Sequence, residues 1–333
     1  MGASFRSHLL EGVATRGRRK IGIRRAGPPL GSLLGFCAAL VVALGLTGCG
    51  DPGGSSSSFF QRTYYNLAYA TVSQTNKLDL YLPPQGAGPF PLVIWIHGGG
   101  WVAGDKTINA TDLQMTLLQR NIALASVEYR LAGEAIFPAA IYDVKAAIRW
   151  LRAHADQYRL DSRRFAVWGA SAGGHLAALA STSNGVAAVE DLSMGNPATS
   201  SDVQVALDWF GPTDFLQLNA EWPAFCPPYD FDAPGSFTSL FLGAPTQTVP
   251  DRAARANPIT YVTPDDPVIL IAHGTSDCVV PVAQSQILYD ALRAVGVRAT
   301  LNLVPGGGHG DLTFVVSQAS PAIDFLDQQL HAL

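Results

Sequence analysis

Gly169-Ala170-Ser171-Ala172-Gly173 sets a serine between glycines, where an apolar strand pattern gives way to an alanine-rich helical one. A sharp strand-to-helix turn there exposes the serine hydroxyl, and the helix N-terminus behind it favours developing negative charge. A serine hydroxyl attacks a carbonyl only with a base to take its proton and an acid to hold that base in the correct tautomer. His309, in Gly306-Gly307-Gly308-His309-Gly310 after the last strand pattern, sits on a glycine-rich loop that lets an imidazole reach Ser171. The other histidines beyond Ser171 are worse placed: His175 inside the helix, His273 at a strand end, His331 at the terminus. For the acid, both Asp277 in His273-Gly274-Thr275-Ser276-Asp277 and Asp214 in Gly211-Pro212-Thr213-Asp214 follow strands and end at the same sheet edge. Either is also an ordinary turn or helix-capping aspartate. Attack on a carbonyl creates an oxyanion that needs preorganised N–H donors. His97-Gly98-Gly99-Gly100-Trp101, after an apolar strand, offers backbone amides unobstructed by side chains, with the Ala172 amide as a further donor. His97 is expected to orient this loop rather than to move protons.

These groups must be positioned by strands. Lys77–Leu82, Pro91–His97, Ile122–Arg130, Arg164–Gly169, Val203–Phe210, Pro267–His273 and Ala299–Val304 read as β-strands, most of them continuous apolar runs. Such runs mark parallel strands covered on both faces. Helical spacing of Ile141, Val144, Ala147, Ile148 and Leu151 predicts a helix over about Pro138–Ala155, and others are expected after Ser171, over Val282–Ala294 and over Pro321–Leu330. The expectation is an α/β fold with a mostly parallel, doubly wound sheet of about eight strands. Residues 215–263, rich in Pro, Phe, Trp and Asp, break the alternation and are expected to cap the site. Trp222, Phe225, Tyr229 and Phe231 suggest an apolar acyl or aryl pocket there, or packing of the cap on the core.

His97–Lys106, Val127–Leu131, Gly169–His175, His273–Asp277 and Gly308-His309-Gly310 together resemble the α/β-hydrolase family, within it the esterase/lipase group that carries His-Gly-Gly-Gly. The resemblance runs from about Tyr64 to the C-terminus and is strongest to the branch that includes bifunctional feruloyl and acetyl-xylan esterases. It implies chain order serine, acid, histidine: Ser171 as nucleophile, Asp277 in preference to Asp214 as acid, and His309 as base. It also implies Gly99, Gly100 and Ala172 as oxyanion donors, and no cofactor or metal. The segment around Cys226 departs from the branch, so the substrate is not fixed by resemblance.

Seven of the 22 basic residues but only one of the 26 acidic ones lie in residues 1–48, leaving 15 basic against 25 acidic side chains and a net charge near −10. That balance gives no footprint for a phosphate backbone, so nucleic acid is not an expected partner. Arg16, Arg18, Arg19, Lys20, Arg24 and Arg25 precede an apolar stretch from about Leu30 to Leu46, the order of a signal peptide. An uncleaved membrane anchor is the alternative, at the short end of spanning length. Leu46-Thr47-Gly48-Cys49 resembles a bacterial lipobox, which implies cleavage before Cys49 and its lipidation. Arg18-Arg19 admits twin-arginine export. The reading is residues 1–48 as lipoprotein signal peptide, 49–63 as a flexible tether rich in Gly and Ser, and 64–333 as the catalytic domain of a cell-envelope lipoprotein. Cys226 and Cys278 then face an oxidising compartment and either pair or stay as separate buried thiols.

The expected function is hydrolysis of a carboxylic ester through an acyl-enzyme, on acetyl or feruloyl esters of plant polysaccharide or on small acyl esters. Amide hydrolysis of the formamidase or oligopeptidase kind, or a catalytically inactive surface binding protein, are the alternatives on the same fold.

Overall fold

The computed structural model describes residues 62–109 and 112–333. The leader, Cys49 and the tether to residue 61 lie outside the described residues, and residues 62 and 63 already belong to the first strand. Among the described residues eight strands form one sheet: β1 (Arg62–Ala68), β2 (Lys77–Leu82), β3 (Phe90–Ile96), β4 (Ala123–Val127), β5 (Leu160–Ala170), β6 (Val205–Trp209), β7 (Val268–Gly274) and β8 (Ala299–Val304). Their order is β1-β2-β4-β3-β5-β6-β7-β8. The β1/β2 and β2/β4 pairs are antiparallel, and every pair from β4 to β8 is parallel. Among the described residues seven α-helices accompany them: α1 (Ala139–Ala153), α2 (Ala155–Tyr158), α3 (Ala172–Thr182), α4 (Phe237–Leu242), α5 (Pro250–Ala256), α6 (Ala283–Ala294) and α7 (Leu312–His331).

The pleat divides each central strand between two layers. In β3, Leu92, Ile94 and Ile96 face the same apolar layer as Ile141 and Ile148 of α1, Leu176 of α3 and Leu288 of α6. Val93, between them, faces the opposite layer, where Leu117, Phe314 and Leu326 gather. Each such buried aliphatic side chain contributes about 1.5–3 kcal/mol. A strand apolar on both faces can only sit mid-sheet, which is why β3 and β5 lie at the centre.

Among the differences from the sequence reading, β5 begins at Leu160 rather than Arg164, α2, α4 and α5 are additional, and two further elements have a clear physical reason. β1 is mostly exposed, with only Thr63 and Leu67 half-buried, and breaks register between Tyr64 and Leu67, so it carries no apolar run by which to recognise it. The last helix begins at Leu312 rather than Pro321, with Pro321 inside it. Its start is set by Asp311, whose Oδ1 accepts the Phe314 amide at 2.9 Å. Burial of Phe314, Ile323, Leu326 and Leu330 offsets the hydrogen bond that the proline cannot make.

Candidate active site

Ser171 joins β5 to α3 with φ 58° and ψ −122°, a conformation that costs a non-glycine residue about 1–3 kcal/mol. Its amide donates to Trp209 O at 2.8 Å and its carbonyl accepts the His175 amide at 3.0 Å, so β6 and α3 hold the strained turn. Glycine is obligatory close by: a Cβ on Gly173 would press into the carbonyls of Ile96 and His97, backbone that cannot move aside.

The loop after β3 lies against this turn. A Cβ on Gly98 would sit 2.8 Å from Ala170 O and 3.4 Å from Ser171 Cβ. Gly99 and Gly100 adopt φ 105° and 61°, and the Gly99 carbonyl accepts the amides of Val102 and Ala103. Among the described residues the amides of Gly99, Gly100 and Ala172 donate to no acceptor within the chain. His97 is buried, and its Nδ1 lies 2.8 Å from Gly98 O. Its ring stacks on Tyr129 at 4.3 Å, and the Tyr129 hydroxyl donates to His97 O at 3.0 Å. Burial lowers the His97 pKa, so a neutral imidazole and a phenol brace the loop. Tyr129 falls in a stretch that the resemblance covered without giving it a role.

His309 stands between β8 and α7. Asp311 Oδ2 accepts the Gly308 amide at 2.9 Å while its other oxygen caps α7, so the loop is tied at its base. His309 Nδ1 lies 2.7 Å from Asp277 Oδ2. Asp277, 1% exposed, accepts the amides of Val279 (2.7 Å) and Val280 (3.0 Å) on Oδ1. Burial alone would push its carboxyl up, but hydrogen bonds from His273 and His309 hold it well below the usual carboxylate range. Asp214 has another occupation: its Oδ1 accepts Asn257 Nδ2 at 2.9 Å and the Leu216 amide at 3.1 Å.

His273, weighed in the sequence only as a base, touches the same carboxylate. Its Nε2 lies 3.2 Å from Asp277 Oδ2 and 3.0 Å from Val280 O, and its Nδ1 2.7 Å from Ser285 Oγ. Both neighbours of Nε2 are acceptors, so Nε2 carries the proton and Nδ1 accepts from the serine hydroxyl. Asp277 is thus held from both sides. His175 is enclosed by Trp101, Phe215 and Phe241, and burial pushes it down to about 4. His331 lies beside Asp327 on α7.

Ser171 and His309 meet the same end of β6: the serine amide bonds Trp209 O, and the next residue, Phe210, packs its ring 4.5 Å from the His309 ring. No hydrogen bond joins the Ser171 hydroxyl to His309 among the described residues, a link that is often long before substrate binds. Cys226 and Cys278 form a disulfide that fastens the segment after β6 to the residue following Asp277. Among the described residues no group of three or more His, Cys, Asp or Glu could hold a metal ion, and no helix is long and apolar enough to cross a membrane.

Comparison with known proteins places this geometry in a family. A truncated carbohydrate esterase from gut microbiota superposes with a TM-score of 0.73 at 34% identity, covering 84% of this chain and 100% of that one. The bifunctional GH43-CE protein of Bacteroides eggerthii gives 0.72 at 36% identity, over 80% of this chain and 35% of that one. Esterase LipC of Mycobacterium tuberculosis is 34% identical over 228 residues, 67% of this chain and 53% of LipC. The chain spans about half the length of the first curated relatives it matches, 53% and 52%. The sequence pattern of the BD-FAE family matches residues 78–292, from β2 to the end of α6. With that match spanning more than half of the chain, and with the mostly parallel eight-stranded sheet around it, this protein belongs to the BD-FAE family of the α/β-hydrolase fold.

Proposed function

We propose that the chain is a serine carboxylic-ester hydrolase working through an acyl-enzyme, with Ser171 as nucleophile, His309 as base and Asp277 as acid. The observation that carries this is the 2.7 Å bond from His309 to a buried, ionised Asp277 at the sheet edge where the strained Ser171 turn stands. Ser171 Oγ attacks the ester carbonyl as His309 Nε2 takes its proton. Asp277 stabilises the imidazolium, and the amides of Gly99, Gly100 and Ala172 receive the oxyanion. Collapse expels the alcohol with the proton from His309, and water repeats the sequence to free the acid. The names of the relatives, a carbohydrate esterase and an esterase, support esters of carbohydrate or small acyl esters as substrates, and the motifs that resemble the feruloyl and acetyl-xylan esterase branch support acetyl or feruloyl groups. The Cys49 motif supports a lipid-anchored enzyme of the cell envelope.

A fluorophosphonate probe should label the folded protein, and Ser171→Ala should abolish both labelling and ester hydrolysis; a folded wild type that takes no label overturns the reading. Asp311→Ala should cost about 1 kcal/mol of stability through the lost cap. It should also lower kcat severalfold as the His309 loop loosens. Thermal unfolding and initial rates read the two effects, and an unaltered kcat would show that the loop holds without it.

A further inference from the structure

Phe237 opens α4 within the segment between β6 and β7, and is 45% exposed. Single exposed apolar side chains are common and call for no account by themselves. Phe237 differs in its place and in how firmly it is held. Its ring covers Gly100: a Cβ there would lie 2.7 Å from Phe237 Cδ1 and 2.9 Å from Cγ. Its neighbours in sequence are almost fully buried, Ser236 at 3% and Thr238 at 2%. Both hydroxyls donate to one acceptor, Phe231 O, at 2.6 and 2.7 Å. Ser236 Oγ also accepts the Ser239 amide at 3.1 Å, closing the first turn of the helix.

One turn further on, Phe241 is buried and stacks on Trp101 at 4.4 Å. Residues four apart share a helix face, so Phe237 and Phe241 form one stripe along the Gly100-Trp101 backbone. The stripe is buried where it meets Trp101 and open where it meets Gly100. The chain thus fixes a residue on both sides with buried hydroxyls and leaves it nearly half exposed beside an amide proposed to receive the oxyanion.

We propose that Phe237 is a specificity-determining residue, a fixed stacking platform in the ester cleft that favours esters carrying a flat apolar face, an aryl ring or the apolar face of a sugar ring. The proposal rests on the ester-hydrolase reading. A flat ring laid on Phe237 gains face contact beyond simple area burial, whereas a small aliphatic ester gains little from it.

The test compares wild type, Phe237→Ala, Phe237→Leu and Phe237→Trp on ethyl acetate, methyl ferulate and acetylated xylo-oligosaccharide, alongside thermal unfolding of each. The expected result is a fall of about tenfold in kcat/KM for a ring-bearing ester relative to that for ethyl acetate in the Ala and Leu variants. It should be carried mainly by KM, with Trp restoring the ratio. Methyl ferulate presents its ring from the acyl side and the oligosaccharide from the alcohol side, so the substrate that responds identifies which ring Phe237 meets. A ratio that stays constant in folded variants, or rates that fall equally for all three esters, overturns the platform and reduces Phe237 to a prop for Gly100. A wild type that cleaves none of the esters and takes no fluorophosphonate overturns the parent reading, and the platform with it.

Discussion

Asp277→Asn is expected to lower kcat/KM by about 10⁴-fold, and Asp214→Asn by less than about tenfold. The carboxylate of Asp277 has donors on both oxygens: two amides on Oδ1 and two imidazole nitrogens on Oδ2. An amide can offer only one oxygen. If the asparagine keeps its oxygen toward Val279 and Val280, its NH₂ faces His309 and turns Nδ1 into an acceptor. The ring proton then moves to Nε2, which can no longer receive the serine proton. The reverse orientation opposes NH₂ to two backbone N–H groups in a buried site, at about 1–3 kcal/mol each. Asp214 has a turn amide and Asn257 as partners, and asparagine can still accept through its oxygen. Initial rates of both variants decide between them; a larger loss in the Asp214 variant would assign the acid to it.

The same geometry sets a pH expectation. Asp277 is held below the ordinary carboxylate range, so its contribution to stability is present above the unfolded value, near 3.9, and is lost as pH falls through the lower folded value. The acid limb of the rate profile therefore does not follow its titration.

Removing the disulfide, as Cys226→Ser with Cys278→Ser, is expected to cost about 4 kcal/mol of stability by the chain-entropy relation for its 52-residue separation. A protein of this size loses about 2–4 °C in Tm per kcal/mol. Reductant should lower the Tm of wild type toward that of the double variant and leave the variant itself unmoved. A drop worth under about 1 kcal/mol would mean that the segment after β6 is held by its own hydrogen bonds. The bond starts beside Asp277, so kcat should fall as well, measured below the transition where both proteins are folded.

Much of the fold was legible because the parallel core strands are apolar on both faces: Leu92 to Ile96, Phe165 to Trp168 and Ile269 to Ala272 are written as unbroken runs. β1 was not, since an edge strand is held by backbone pairing with β2 and needs no apolar pattern. The sequence reading starts α7 at Pro321, whereas the cap that sets its start is Asp311, ten residues earlier.

The candidate site divides in the same way. Ser171, the glycine loop after His97 and His309 each sit in a local context of strand end and glycine turn, and local sequence is enough to write such a context. Asp277 and Asp214 have the same local context. The family resemblance favours Asp277, and the folded chain separates the two by contact, bringing His309 to one and Asn257 to the other. His273 against Asp277, Tyr129 under His97 and Phe237 over Gly100 were not legible, because each joins segments from different strands or from the insertion; Cys226 and Cys278 were legible as a pair that either bonds or stays apart, and the fold bonds them. By itself the sequence determined the sheet, the turn that exposes Ser171 and the loops that ring it, through apolar period and glycine placement. Tertiary structure alone shows which carboxylate His309 meets and which aromatic lies over Gly100, since those depend on distances between residues far apart in the chain.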